Sequence, residues 1–327
     1  MSLVVVTDYT FPNLDTEDGI LRQAGAELKS ENTKDIAALK RIVSDADAVI
    51  TQFAPIHAEV IESMKRARVI VRYGIGVDNV DLDAAKRCGI PVCNVPDYCI
   101  DEVADHTLAF ILSITRQVVP NTLLIRDGNW GLATPLDQMR TLRDQSVGIV
   151  GFGRIGREVA ARLAPFKCQR FVFDAFVPEE SIRAAGCIPV SLDALLAQSD
   201  IVTLHCPSTP QTKKMLRAES IERMKRGAIV INLARGDLVD TESLIHALQS
   251  GQLSGAAIDV CDKEPIPSDS PLRALPNVIA ASHIASASPK AVRTLRETAA
   301  RIAAMALRGE TLPNIVNGVL VPRSADS

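Results

Sequence analysis

The residues with the most chemistry in them lie in the second half of the chain. Asn232-Leu233-Ala234-Arg235-Gly236-Asp237-Leu238-Val239-Asp240 includes the end of a buried-strand pattern, Ile229 to Leu233, and puts an arginine at its exit. Open α/β sheets bind ligands at the carboxyl ends of their strands, and a guanidinium beside a glycine can present a planar fork to a carboxylate. Taken alone, such an arginine more often forms a surface ion pair. His283, one of five histidines, follows the apolar stretch Val278 to Ala281 and precedes Ala285, Ser286 and Ala287. Glu264 stands in Asp262-Lys263-Glu264-Pro265, after a strand pattern that ends at Asp259. A cation, a group titrating near neutrality and an orienting carboxylate are what hydride exchange at a 2-hydroxy acid requires. The cation clamps the acid, the second group exchanges the hydroxyl proton, and the third holds that group in place. If Glu264 and His283 meet, the carboxylate would orient the imidazole and favour its protonated form. Spacing leaves that open.

Gly151-Phe152-Gly153-Arg154-Ile155-Gly156 is a complete Gly-x-Gly-x-x-Gly. It follows the apolar strand pattern Val147 to Val150 and opens a helix near Arg154, the context in which the motif binds a dinucleotide pyrophosphate rather than merely making a turn. Free N–H groups at the helix start would face the phosphates. The next strand pattern ends in Phe173-Asp174, 18 residues beyond Gly156. A carboxylate there accepts both ribose hydroxyls and repels a 2′-phosphate, and Ala175 to Pro178 offer no cation to receive one. NAD is therefore expected over NADP.

These positions need elements to hold them. Short β-branched runs (Leu3 to Thr7, Asp47 to Thr51, Val69 to Tyr73, Pro91 to Val95) alternate with helical stretches such as Asp35 to Ser44 and Leu82 to Cys88. Continuous apolar strands between helices are the mark of a parallel sheet covered on both faces. A long helix opens near Asp101-Glu102, and a polar connection follows through Asp127 to Trp130. The alternation then restarts with strands at Val147 to Val150, Arg170 to Phe173, Ile201 to His205, Ala228 to Asn232, Gly255 to Asp259 and Asn277 to Ala281. An amphipathic helix, Pro289 to Arg308, could return the chain to the first part. The expected fold is α/β, with two doubly wound parallel-sheet domains. Residues 101–289 are expected to form the Rossmann NAD-binding domain, and residues 1–100 plus 290–327 a second, discontinuous domain, with Arg323 to Ser327 as a frayed tail.

The bulk composition excludes several classes. With 36 basic and 39 acidic residues, the net charge of -3 gives no reason to expect nucleic acid or an anionic membrane as partner. No stretch approaches the ~18 apolar residues of a membrane span, and the N-terminal apolar run is too short for a signal-peptide core. A cytoplasmic location is expected. Seven cysteines without a Cys-x-x-Cys pair argue for reduced, buried thiols and no metal.

The chain resembles the D-isomer-specific 2-hydroxyacid dehydrogenase family over residues 1 to 320. The likeness rests on Arg72-Tyr73-Gly74-Ile75-Gly76-Val77-Asp78-Asn79-Val80-Asp81, the glycine motif, Asn232 to Asp240, Asp259 to Pro265 and His283. It implies a flavodoxin-like substrate domain and a catalytic set of Arg235, which binds and polarises the 2-oxo acid, His283 as proton donor and acceptor, and Glu264 as its partner. The segment Tyr73, Gly74, Ile75 and Gly76 would hold the substrate carboxylate through backbone N–H groups. Thr107 would lie near the cofactor phosphates, Asp259 and the Ala234 carbonyl at the nicotinamide amide, and Cys206-Pro207 on the adenine side. Members are commonly homodimers through the segment that contains Trp130. Val92-Cys93-Asn94-Val95-Pro96, Glu102 to Asp105 and Val202 to Cys206 resemble the C-terminal-binding-protein branch and its bacterial dehydrogenase relatives. Ser286 stands where the co-repressors carry a tryptophan, so their substrate preference does not transfer. Glu264 argues against a formate dehydrogenase, whose histidine pairs with an amide. The substrate is expected to be a small 2-oxo or 2-hydroxy acid. The alternative is an NAD(H)-sensing binding protein with little or no turnover.

Overall fold

The computed structural model describes residues 1–136 and 139–321, and the expected tail at Arg323 to Ser327 lies outside them. Two compact units emerge: Met1–Tyr98 together with the chain from Ser288 onward, and Cys99–Ala287.

The first unit is built on five parallel strands, β1 (Ser2–Val6), β2 (Ala26–Ser30), β3 (Ala48–Thr51), β4 (Ile70–Arg72) and β5 (Val92–Cys93). Their order, β2-β1-β3-β4-β5, is the flavodoxin-like one. Alternation along β1 shows why both faces are covered. Val4 and Val6 join Leu295, Ala299 and Ile302 of the helix Pro289–Leu307, whereas Val5 joins Leu39, Val43 and Val60 on the opposite face. The returning helix starts cleanly because the Ser288 hydroxyl accepts the Ala291 N–H at 2.9 Å and proline occupies the first turn.

The second unit has seven parallel strands: β6 (Ser146–Val150), β7 (Gln169–Phe173), β8 (Ile188–Pro189), β9 (Ile201–Leu204), β10 (Ala228–Asn232), β11 (Leu253–Ile258) and β12 (Val278–Ala280). The order β12-β11-β10-β9-β6-β7-β8 reverses at β6, with β9 on one side and β7 on the other. That reversal is the topological switch point at which such sheets bind ligands. The glycine motif leaves β6 at this point.

Two strands were not expected from the sequence, β2 and β8, and both lie at sheet edges. β2 is mostly exposed and β8 has two residues, so neither shows the apolar run of a central strand. The connection after the long helix Ile100–Thr115 also differs from expectation. It contains a further helix, Val118–Arg126, none of whose residues is buried. Gln117, at φ 55°, turns the chain between them through 63°. No single helix among the described residues is long and apolar enough to cross a membrane, and this bent pair reaches the required length only jointly, its first helix being largely buried.

Candidate active site

At the switch point, Gly151 adopts φ +95°, and a Cβ there would lie 2.7 Å from the carbonyl carbon and oxygen of His205. Only glycine permits that approach, which brings Cys206-Pro207 alongside the glycine loop. Gly153 faces open space at the start of the helix Arg154–Leu163. The first helical bond runs from the Arg157 N–H to the Gly153 carbonyl at 3.1 Å, so the N–H groups of Arg154, Ile155 and Gly156 precede the helical ladder. Asp174 closes the other side. One of its oxygens accepts the Phe152 N–H at 2.7 Å, and the other accepts those of Phe176 and Val177 at 2.8 and 3.0 Å. Burial, reinforced by the Asp174 carboxylate, pushes the Cys206 thiol up to about 11.

Arg235 sits in a turn bracketed by a side chain. Asn232, buried at the end of β10, accepts the Ala234 N–H at 3.1 Å and donates to the Arg235 carbonyl at 2.8 Å. The Arg235 guanidinium donates to the Ala234 carbonyl at 2.7 Å. At Gly236 a Cβ would collide with the Cys261 carbonyl carbon at 2.0 Å, so this turn lies flat against the loop that carries Glu264. Glu264 accepts the Cys261 N–H at 3.0 Å through Oε1 and meets His283 Nδ1 at 2.7 Å through Oε2. Burial works against the charge on Glu264. Hydrogen bonds from His283 and Cys261, with the nearby Arg235 charge, still hold its carboxyl below the usual range. Because an ionised carboxylate only accepts, Nδ1 carries the proton of this bond.

His283 itself is in the left-handed region, at φ 58°. Asp259 stabilises that turn: its carbonyl accepts the His283 N–H at 2.8 Å, and its carboxylate accepts those of Ile284 and Ala285, each at 2.8 Å. The carboxylate is thus built into the scaffold of the histidine turn.

Residues 108–285 match the family model for the D-isomer specific 2-hydroxyacid dehydrogenase NAD binding domain. The chain belongs to the D-isomer-specific 2-hydroxyacid dehydrogenase family. It is 38% identical to a glyoxylate reductase of Korarchaeum cryptofilum over 282 residues, 85% of each chain. It is 33% identical to a D-3-phosphoglycerate dehydrogenase of Methanocaldococcus jannaschii, matching over 99% of its own length but 61% of that relative. The crystal structure of a D-lactate dehydrogenase from Aquifex aeolicus, complexed with NAD and lactic acid, superposes with a TM-score of 0.86 at 29% identity, covering 94% of this chain and 96% of that one. Relatives of this family are oxidoreductases that act on CH–OH groups with NAD, and this dehydrogenase is of that class. Nothing in these relatives supports a sensor without turnover.

NAD suits the residues of this dehydrogenase. The open face at Gly153, the helical N–H groups behind it and the anchored Asp174 are residues that could hold the pyrophosphate and ribose of a dinucleotide. Thr107 is fully buried, and its hydroxyl donates to the Val103 carbonyl at 2.8 Å.

In the first unit, Tyr73 is buried, and its hydroxyl donates to Glu17 at 3.0 Å. Arg296 grips the same buried carboxylate with two bonds, at 2.9 and 2.7 Å. Gly74, at φ +143°, leads into Ile75 and Gly76, whose N–H groups have no acceptor among the described residues. The sequence reading missed the supporting roles of Asn232 and Glu17, and for Asp259 it expected a different one. An asparagine two residues before a turn gives a faint signal. Glu17 gives none, because Arg296 lies 279 residues away. Among the described residues no three potential metal ligands converge, and none of the seven cysteines is in a disulfide.

Proposed function

We propose that this dehydrogenase reduces small 2-oxo acids such as glyoxylate or hydroxypyruvate to 2-hydroxy acids, of D configuration where the product is chiral. The observation that supports it most directly is the Glu264–His283 pair at 2.7 Å, on a loop packed against the Arg235 turn. In this reading the Arg235 guanidinium binds the 2-oxo acid and polarises its carbonyl oxygen, lowering the cost of charge developing there. His283 Nε2 delivers a proton to that oxygen as the carbon is reduced, and the Glu264 carboxylate stabilises the imidazolium before transfer. Bound as NADH, the cofactor supplies the hydride. Gly151, Gly153 and the N–H groups of Arg154, Ile155 and Gly156 hold its pyrophosphate, Asp174 its ribose, and Cys206-Pro207 flank the adenine. Thr107, Asp259 and the Ala234 carbonyl complete the cofactor site. The Ile75 and Gly76 N–H groups take the substrate carboxylate, and Tyr73 and Gly74 shape that loop, so the first unit is the substrate domain.

The test is NADH consumption with a panel of 2-oxo acids: glyoxylate, hydroxypyruvate, phosphohydroxypyruvate, pyruvate and 2-oxoisocaproate. Turnover on a small member by the wild type, lost in His283→Ala, is expected. Tight NADH binding without turnover on any member would overturn the proposal.

A homodimer is part of the same reading. Along residues 118–136, Val118, Leu123, Leu132 and Leu136 are each more than half exposed and Trp130 is 94% exposed. So much exposed apolar surface on one segment marks an association site. The mass in solution should be twice that of the chain, and Trp130→Ser with Leu123→Ser should reduce it to that of one chain.

A further inference from the structure

The two N–H groups assigned to the substrate carboxylate belong to peptide planes, and each plane has a carbonyl on its opposite edge. The Ile75 N–H shares its plane with the Gly74 carbonyl, which accepts the Val95 N–H at 3.0 Å. The Gly76 N–H shares its plane with the Ile75 carbonyl, which accepts the Asn94 side-chain amide at 2.6 Å. Both planes are therefore held from behind by the chain leaving β5, while Ile75 and Gly76 are partly exposed and their N–H groups have no acceptor among the described residues. The amide orientation at Asn94 is unambiguous, because a carbonyl can only accept and the nitrogen must face it. Asn94 is itself 8% exposed, and its backbone N–H is tied to the Asn314 carbonyl at 3.3 Å.

We propose that Asn94 is a positioning residue for substrate binding: by donating to the Ile75 carbonyl it fixes the tilt of the Ile75–Gly76 peptide and strengthens the Gly76 N–H as a donor to the carboxylate of a 2-oxo acid. The physical basis is polarisation along a hydrogen-bonded chain. A peptide whose carbonyl accepts a bond offers a better donor at its nitrogen, and low exposure enhances the effect. A short bond into a half-buried carbonyl also costs no reorganisation when substrate arrives. The inference rests on the reading of the Tyr73–Gly76 loop as the carboxylate site.

Isoleucine labelled with ¹³C at the carbonyl and glycine labelled with ¹⁵N report Ile–Gly peptides alone. The sequence holds two of them, Ile75–Gly76 and Ile155–Gly156, so the second is an internal reference. In Asn94→Ala the Gly76 amide signal should move and the Gly156 signal should stay. The KM for the 2-oxo acid turned over fastest in the panel should rise about tenfold, the scale of one hydrogen bond to a charged group. The kcat and the NADH affinity should change by no more than roughly twofold, since Asn94 makes no contact that differs between ground and transition state. Asn94→Ser, which keeps a donor, should lie between wild type and Asn94→Ala in both readouts, and it carries the test if the alanine variant does not fold. An unmoved Gly76 signal overturns the role of Asn94, whatever the kinetics. A moved signal with an unchanged KM removes the loop from substrate binding, which overturns the underlying reading and the proposal with it.

Discussion

The two units carry their chemistry in different currencies. In the second, the groups proposed to act are side chains, Arg235, Glu264 and His283, each held by another side chain or by a close backbone approach. In the first, the groups proposed to act are backbone N–H groups, and side chains act on them only from behind. The buried ionisable groups differ between the units as well. Glu17 in the first unit is fully buried and met by a two-pronged Arg296 and by Tyr73, whose hydroxyl is driven well above its ordinary pKa by burial and by that carboxylate. His205 in the second keeps one ring nitrogen enclosed without a partner. Burial alone lowers its pKa to about 3, so it stays neutral. A site made of side chains is broken by truncating its own members. A site made of backbone is broken only by removing its neighbours.

The largest effect should therefore come from the second unit. His283→Ala removes the group proposed to transfer the proton and should lower kcat by roughly 100- to 10,000-fold. NADH affinity, followed by fluorescence titration, should hold; a kcat within about tenfold of wild type would remove His283 from proton transfer. Arg235→Ala should reduce kcat/KM for the 2-oxo acid by roughly 100-fold, the size of a lost charge-stabilising donor, with NADH binding again preserved. If it weakened NADH as much as substrate, Arg235 would belong to the cofactor site. Asp174→Ala should improve NADPH relative to NADH by about tenfold, the worth of one charged hydrogen bond plus relief of repulsion. A wild type that already preferred NADPH would rule out the assignment of Asp174 to the ribose.

The smallest effect concerns stability, and it sharpens the contrast in buried groups. His205 is neutral in the folded protein down to about pH 3, whereas in the unfolded chain an ordinary histidine takes up its proton near pH 6.5. Between those values the unfolded state binds more protons, so stability rises with pH and is lost on acidification from about 6.5 towards 3. The slope for one such group is at most about 1.4 kcal/mol per pH unit. Urea midpoints measured from pH 7 to 4 should fall less steeply in His205→Asn than in wild type. Identical slopes would show that the ring is hydrated in solution.

Much of the second unit can be read from the chain because its signals are local. The glycine motif sits within ten residues of its strand and helix, and the central strands are unbroken apolar runs. The edge strands β2 and β8 escaped that reading, since an edge strand has one neighbour and little to bury. The helix Val118–Arg126 escaped it as well. With no buried face it lacks the apolar period by which an amphipathic helix is recognised.

Sequence by itself determined the alternation of strands and helices, the two doubly wound sheets, the dinucleotide loop and the presence of an arginine, a glutamate and a histidine at strand exits. These follow from periodicity and from residue type, which are properties of short segments. Only the tertiary structure decided that Glu264 reaches His283 across 19 residues, that Gly236 presses the Arg235 turn against the Glu264 loop, and that Asn94 reaches the Ile75 carbonyl. Hydrogen bonds of that kind depend on how loops at neighbouring strand ends approach one another. Strand order and backbone packing set that approach, and no single segment encodes it.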